Sequence, residues 1–241
     1  MQMKNLIKQL IPKNLLGLIL AYRKNLSSTY CIKSYSQEGE DMILKRIFEK
    51  QSMGFYVDVG AHHPFRFSNT YFFYKQGWNG INIDAMPGSM KLFNTFRSRD
   101  INLEIPISNC DQILTYYAFN EPALNGFSKD LSQERNGKNG YFIQQEIKLQ
   151  TSKLSLVLDK HLPTDTEIDF LSIDVEGLDL DILHSIDWNK YKPKVILIEI
   201  LGSSLSEIEN SEITLFLKKY RYTVFAKAVN TVFFVQDNIE I

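Results

Sequence analysis

The sequence has little cysteine and no excess of basic residues. Its 241 residues include two cysteines, Cys31 and Cys110, which are too few for a disulfide framework. No group of Cys and His residues has the spacing of a zinc site, so we expect a reducing compartment, the cytoplasm. The 27 Lys and Arg residues balance 28 Asp and Glu residues, whereas a general nucleic-acid-binding protein usually carries a basic excess. We therefore expect no nucleic-acid partner.

The chain also has no apolar run near its N-terminus that is long enough to cross a bilayer. The mostly apolar run 15–22 is far shorter than the ~20 residues that a membrane-spanning helix needs. Residues 1–33 nevertheless stand apart, because they contain six basic residues and no acidic ones. Apolar residues recur there at helical spacing on both sides of Pro12, which predicts two short amphipathic helices. We divide the chain into a basic N-terminal arm, 1–34, and a domain, 35–241.

Two roles stay open for this arm. In one, its helices pack on the domain or on a second subunit, which would make the protein a homo-oligomer. In the other, they lie on an anionic membrane surface with the basic residues among the headgroups. The protein would then be peripheral on the inner face of the membrane.

Predicted strands and helices alternate along the rest of the chain. Short apolar stretches predict strands that end near Gly60, Asp84, Ile107, Asp174 and Ile200. Such alternation predicts an α/β fold, a mostly parallel seven-stranded sheet with helices on both faces. Two closing strands, 222–226 and 231–235, predict a C-terminal antiparallel hairpin. This is the layout of Rossmann-like methyltransferases.

Other segments give less regular patterns. Strands predicted at 114–119 and 144–150 form a separate pair, and 120–140 between them predicts a long mobile loop that covers a polar, sugar-like group. Ser36 predicts the N-cap of a helix over about residues 37–50, and 207–220 predict one further helix.

Ligands of such sheets bind outside the carboxyl ends of the parallel strands. The first strand ends in an acidic residue and a tight glycine turn, which suits a cofactor with a cationic amine. The second ends in a carboxylate, which can accept hydrogen bonds from both ribose hydroxyls of an adenosine. Only one glycine is present where a dinucleotide site needs three, which argues against NAD or FAD. The predicted cofactor-binding residues are Asp58, Gly60, Ala61, Asp84 and Ser108.

Carboxylates cluster after the fourth strand of the sheet. Asp174, Glu176 and Asp179 fall within six residues, and Glu199 lies near the end of the next strand. Such a cluster orients or deprotonates an acceptor hydroxyl, or it holds a hard divalent cation such as Mg²⁺. Both uses stay open, and we predict Asp174 and Glu176 to be catalytic.

Two histidines, His62 and His63, follow the first strand. Either can serve as a general base, because an unperturbed imidazole has a pKa near ~6.5. His63 is the first choice for this role and Asp174 the second. Arg66 and Asn69, at the start of the next helix, bind an anionic group of the substrate or cap the helix. With Glu199, they are the predicted substrate-binding residues.

Five segments together resemble the FkbM family of S-adenosylmethionine-dependent methyltransferases. The likeness spans about residues 35–236, and Asp174-Val175-Glu176-Gly177 is its most specific piece. The segments are Ser36-Gln37-x-Gly39-Glu40-Asp41, Phe55-x-Val57-Asp58-Val59-Gly60-Ala61, Gly77-Trp78-x-Gly80-Ile81-x-Ile83-Asp84, Ile168-Asp169-Phe170-Leu171-Ser172-Ile173-Asp174-Val175-Glu176-Gly177, and Tyr222 with Asn230.

The resemblance implies S-adenosylmethionine as methyl donor and O-methylation of a sugar, polysaccharide or related metabolite, as in polysaccharide biosynthesis. It places Asp58 and Gly60 in the donor loop and Asp84 at the ribose. The chain departs from the family in having Asp84-Ala85 where Glu-Pro is commoner, and His62-His63-Pro64 where many members carry a further glycine. The alternatives are a nucleotide-sugar oxidoreductase and a non-catalytic nucleotide-binding module. The expected partner is a small-molecule or glycan acceptor.

Overall fold

The structure, a computed structural model, describes residues 12–26, 31–237 and 239. The chain divides into two units, 1–34 and 35–241. In the first unit, helix α1 spans Lys13–Leu26 and begins directly after Pro12. The other predicted arm helix, which includes Leu6 and Leu10, lies outside the described residues. No helix in the described ranges is long and apolar enough to cross a membrane.

The second unit contains the sheet and the helices that cover it. Its strands are β1 (Phe55–Val59), β2 (Asn79–Asp84), β3 (Ile101–Glu104), β4 (Ile113–Phe119), β5 (Ile143–Gln150), β6 (Phe170–Ile173), β7 (Val195–Glu199), β8 (Tyr222–Lys227) and β9 (Thr231–Gln236). Its helices are α2 (Glu40–Ile47), α3 (Tyr71–Lys75), α4 (Met90–Phe96), α5 (Lys129–Arg135), α6 (Leu154–His161), α7 (Asp179–His184), α8 (Leu205–Glu209) and α9 (Glu212–Lys218), with a 3₁₀ turn at Pro122–Leu124.

Seven strands form one sheet in the order β3-β2-β1-β6-β7-β9-β8. The five strands from β3 to β7 in that order are parallel, and β9 inserts antiparallel between β7 and β8. This is the strand order of the Rossmann-like methyltransferase fold. The predicted fold class, including its antiparallel C-terminal hairpin, is therefore confirmed.

Alternate residues of strand β1 enter different cores, because successive side chains of a strand point to opposite faces. Val57 packs in a cluster with Leu158 of α6 and Ile182 of α7. Tyr56 packs in another cluster with Leu44 of α2 and Phe73 of α3. Helices therefore cover both faces of the sheet, as a buried parallel sheet requires.

Strands β4 and β5 form the predicted separate antiparallel pair. The segment 120–140, predicted as one long mobile loop, contains secondary structure, because the 3₁₀ turn and α5 lie there. Local capping explains the difference, since the Ser128 hydroxyl accepts a hydrogen bond from the backbone N–H of Leu131. The side chain of Glu121 likewise accepts one from the N–H of Ala123.

Two predicted helices are shorter than expected. Helix α2 begins after Gly39, which has a φ of 89°, although Ser36 still accepts a hydrogen bond from the N–H of Asp41. The predicted helix 207–220 is two helices, because Ser211 starts a new one by accepting a hydrogen bond from the N–H of Thr214. The predicted third strand ends earlier, at Glu104.

Candidate functional site

A cavity of about 650 Å³ lies at the carboxyl ends of four parallel strands. Gly60 after β1, Asp84 of β2, Asp174 after β6 and Glu199 of β7 all line it. The segment 121–127 and other residues of the β4–β5 connection form a further part of its wall. Parallel sheets bind their ligands at this edge, and the volume suits a small-molecule site.

The turn after β1 lies against the turn after β6. Gly60 has a φ of 87°, and its N–H donates to the carbonyl oxygen of Ile83. A Cβ atom on Gly60 would lie 1.8 Å from the carbonyl oxygen of Asp174. Only glycine fits there, because both the backbone conformation and the space exclude a side chain.

The resemblance of the sequence places Gly60 in a donor loop, so we expect Gly60→Ala to weaken binding of S-adenosylhomocysteine at least about tenfold, because the clash displaces two turns of the cavity wall. Calorimetry with S-adenosylhomocysteine measures the effect. Gly137→Ala is the control, since Gly137 has a similar φ of 82° but no atom within 4 Å of the added Cβ. Equal affinity losses in both variants would show that the clash is unimportant.

His62 occupies a strained position on the cavity wall. Its φ is 53°, a conformation that favours glycine, and its N–H donates to Oδ2 of Asp84 at 2.9 Å. The imidazole lines the cavity, and its Nε2 is buried without a hydrogen-bond partner among the described residues. Burial and the Arg66 guanidinium lower the pKa of His62 to about 4, so the ring is neutral at pH 7.

Asp84 is held in place by backbone donors. Besides the N–H of His62, its carboxylate accepts the N–H of Met86 at 2.8 Å. The residue is 9% exposed and lines the cavity, and burial raises its pKa. The adjacent backbone therefore fixes a carboxylate at the end of β2, where it can accept hydrogen bonds from a ligand.

The predicted carboxylate cluster is assembled because β6 and β7 are parallel neighbours. One oxygen each from Asp174, Glu176 and Glu199 lies within 4.8 Å of the others. Burial, followed by the negative charge of Glu199, raises the pKa of Asp174 well above its ordinary value. Burial and the charge of Glu176 raise the pKa of Glu199 in the same way. Asp174 opens onto the cavity with an exposed side chain, and the protein and negative charges around it make it a stronger base than an isolated carboxylate.

Asp179, the fourth acid of this sequence region, holds the turn rather than joining the cluster. Its carboxylate accepts the N–H groups of Val175 and Gly177 at 3.3 and 3.1 Å. These bonds fix the turn that carries Asp174 and Glu176.

Arg135, which sequence analysis did not identify, also lines the cavity. Its Nη1 lies 2.7 Å from Oε2 of Glu176. The segment around Gly126 packs closely on the turn that contains Glu176. A Cβ atom added to Gly126 would lie only 2.8 Å from Cβ of Glu176. A Cβ on Gly177 would likewise lie 3.0 Å from Cβ of Ser128. The connection between β4 and β5 therefore packs directly on the carboxylate turn.

Gln37 and Asn230 reach the cavity from opposite ends of the domain. The N–H of Asn230 donates to Oε2 of Glu38 at 2.6 Å, and the Thr231 hydroxyl donates to Oε1 of Glu40 at 3.1 Å. Both lining residues belong to segments that carry the family resemblance, which was the only sequence signal for them.

Three predicted cofactor residues lie behind the cavity wall. Asp58 is buried and accepts a hydrogen bond from the Thr70 hydroxyl, and burial raises its pKa to about 6. Ala61 is packed in a small core cluster. The Ser108 hydroxyl donates to the carbonyl oxygen of Cys110 at 3.0 Å. These residues support the wall from behind.

Some of the predicted catalytic and substrate-binding residues line the cavity, and others lie behind its wall. Arg66 lines the cavity, where it makes a two-point ion pair with Glu121 at 2.9 and 3.2 Å. The Asn69 amide donates to the Ser172 hydroxyl, behind the wall. His63 also lies behind it, and its Nδ1 accepts the backbone N–H groups of Phe65 and Arg66. The cavity wall thus provides no geometric basis for His63 as the base.

A buried arginine supports the turn after β1. Arg97 is 0% exposed, and its Nη1 donates to the carbonyl oxygen of Pro64 at 3.2 Å. Its other nitrogens donate to Asp100 at 2.8 Å, Tyr56 at 2.8 Å and Thr70 at 3.0 Å. This network joins three segments beneath the cavity, and no local sequence pattern revealed it.

Residues 58–224, more than half of the chain, match the family model described as the methyltransferase FkbM domain. No curated protein sequence matches the chain. Among solved structures, precorrin-6y C5,15-methyltransferase from Geobacter metallireducens GS-15 is 13% identical, with a TM-score of 0.42, over 85% of this chain and 90% of that one. An O-methyltransferase from Bacillus cereus in complex with SAH is 11% identical, with a TM-score of 0.42, over 96% and 94%.

Proposed function

Because the chain belongs to the FkbM family of S-adenosylmethionine-dependent methyltransferases, we propose that it methylates a hydroxyl of a sugar, polysaccharide or related metabolite. The family match confirms the predicted family and enzyme class. It supports neither the oxidoreductase nor the non-catalytic module. The observation that carries the hydroxyl acceptor is the pair of carboxylates, Asp174 and Glu199, on the wall of the cavity that also contains Asp84.

Methyl transfer to a hydroxyl needs a proton acceptor. The methyl carbon bonds to the acceptor oxygen, its bond to sulfur breaks, and the sulfur keeps the electron pair as S-adenosylhomocysteine forms. The hydroxyl proton leaves as this bond forms, and we assign it to Asp174, whose raised pKa makes it a better base than an ordinary carboxylate. His62 lines the cavity, but its lowered pKa makes it a weaker base.

The cavity wall also favours an uncharged polar acceptor. Amide groups, which can hydrogen-bond to hydroxyls, and aromatic rings, which can pack on a sugar face, line it together. They belong to Gln37, Asn125, Asn230, Phe67, Phe127 and Tyr141. Arg66 and Arg135 are paired with Glu121 and Glu176, and these carboxylates offset the positive charge that a phosphate would need.

Transfer of labelled methyl from S-adenosylmethionine to a panel of unmethylated glycans and glycosides tests this proposal. We expect an alkali-stable product, because a methyl ether resists alkaline hydrolysis. An alkali-labile methyl ester would instead identify a carboxylate acceptor and contradict the proposal.

Mg²⁺ is the alternative use for the carboxylate cluster, since the oxygens of Asp174, Glu176 and Glu199 lie close enough together to share a cation. The ion would lower the pKa of the acceptor hydroxyl. Turnover measured after EDTA dialysis separates the two uses. A loss that Mg²⁺ restores favours the metal, and unchanged turnover favours Asp174 as the base.

We propose that the carboxylate of Asp84 accepts hydrogen bonds from the ribose hydroxyls of the donor. A charge-assisted hydrogen bond contributes about 1.5–3 kcal/mol, so Asp84→Ala should weaken donor binding roughly tenfold or more. Calorimetry with S-adenosylmethionine and S-adenosylhomocysteine measures this loss. Asp111→Ala removes an exposed carboxylate from outside the cavity wall and serves as the control. Wild-type affinity in Asp84→Ala would refute the assignment.

A further inference from the structure

Helix α1 carries a stripe of exposed apolar side chains. Leu15, Leu18, Ile19 and Tyr22 recur at the spacing of one helical face. Their exposed fractions are 49%, 69%, 37% and 66%. Exposed apolar patches of this kind mark surfaces that bind a protein or a membrane.

The stretch of sequence that contains this stripe carries charge of one sign. Residues 1–33 contain six basic side chains and no acidic one, whereas all 28 acidic residues lie in the rest of the chain. A surface that complements this segment must therefore be both apolar and anionic. The boundary between headgroups and acyl chains of an anionic bilayer has both properties.

The length of α1 fits a position along the bilayer surface. Its 14 residues give a helix of about 21 Å, which is shorter than the hydrocarbon core of about 30 Å. Tyr22 is directly followed by Arg23 and Lys24, and tyrosine next to basic residues is typical of the membrane–water interface.

We propose that helix α1 binds an anionic phospholipid surface, with Leu15, Leu18, Ile19 and Tyr22 inserted below the headgroups. The helix lies parallel to the bilayer and keeps the methyltransferase domain at its surface. This binding requires neither the donor nor a particular acceptor.

Flotation of the full-length protein with vesicles tests the proposal. We expect binding to phosphatidylcholine vesicles that contain phosphatidylglycerol to be at least tenfold stronger than binding to phosphatidylcholine alone. Raising the salt concentration should weaken it, because each basic residue near the surface contributes about fivefold. Equal binding to both vesicles, or binding to neither, would overturn the proposal.

Two pairs of variants separate the apolar and electrostatic contributions. Leu18→Gln with Tyr22→Gln, and separately Lys13→Glu with Lys24→Glu, should each weaken binding to anionic vesicles more than tenfold. The controls are Leu156→Gln with Leu215→Gln, which replace exposed leucines of the domain, and Lys50→Glu with Lys219→Glu, which make the same change of charge there. Equal losses in control and arm variants would contradict the assignment to α1.

A second copy of the chain is the competing occupant of the stripe. Sedimentation of the full-length protein at several concentrations, without lipid, detects it. A dimer that Leu18→Gln with Tyr22→Gln dissociates, together with an absence of flotation, would show that α1 binds protein. A monomer that floats supports the membrane surface.

Discussion

Asp174→Asn is expected to lower kcat by about 10²–10⁴-fold, the range for loss of a general base. The amide keeps the shape of the side chain but cannot take up the acceptor proton. Donor affinity should stay within a few-fold, because Asp84 and the Gly60 turn are unchanged. Labelled-methyl transfer measures kcat and calorimetry measures affinity. Full turnover in Asp174→Asn would show that the base lies elsewhere.

The pH dependence gives this prediction an independent readout. Asp174 can act as a base only when it has lost its proton, which happens as the pH rises through its raised pKa. Turnover should therefore rise with pH over that range and then level off. Glu199→Gln removes a negative neighbour and therefore lowers the pKa of Asp174. We expect the rise to shift to lower pH in that variant, and a profile that keeps its wild-type midpoint would argue against coupling between the two carboxylates.

Arg97→Met is expected to lower the free energy of unfolding by about 3–5 kcal/mol, because it leaves the Asp100 charge buried without its cation. Urea denaturation measures the change. Arg99→Met, an exposed neighbour that contacts the ring of Tyr74, should cost less than about 1 kcal/mol. Equal losses in the two variants would contradict a special role for the buried network.

The double variant Arg97→Met with Asp100→Asn separates charge from packing. If the unpaired carboxylate causes the loss, the double variant should lose clearly less than the sum of the two single variants. Additive losses would assign the effect to packing alone.

Much of the site could be predicted because parallel strands end at the same edge of the sheet. Asp84, Asp174 and Glu199 each stand at a strand end, and the sheet order brings them to one cavity. The same reasoning fails for Asp58 and Asn69. Residue type and position do not show whether a side chain turns toward the ligand or toward the helices, and these two face Thr70 and Ser172.

The sequence did not show which residues of distant segments line the cavity. Arg135 lies within the segment 120–140, whose composition predicted a mobile loop, and its partner Glu176 is 41 positions away. Gln37 lines the cavity beside Asn230, whose backbone N–H donates to Glu38. Such contacts depend on the final packing of the chain, which hydrophobic periodicity does not encode.

The contact between Glu38 and Asn230 has a consequence for synthesis in the cell. These residues are 192 positions apart, and β9 must insert between β7 and β8 before they meet. A nascent chain that has not yet released β9 from the ribosome therefore lacks one side of the cavity, and a ligand of that cavity cannot stabilise it as it stabilises the finished fold. Until then the acidic and apolar edge of β7 stays open, so this late step is where we expect chaperones to act on the growing polypeptide.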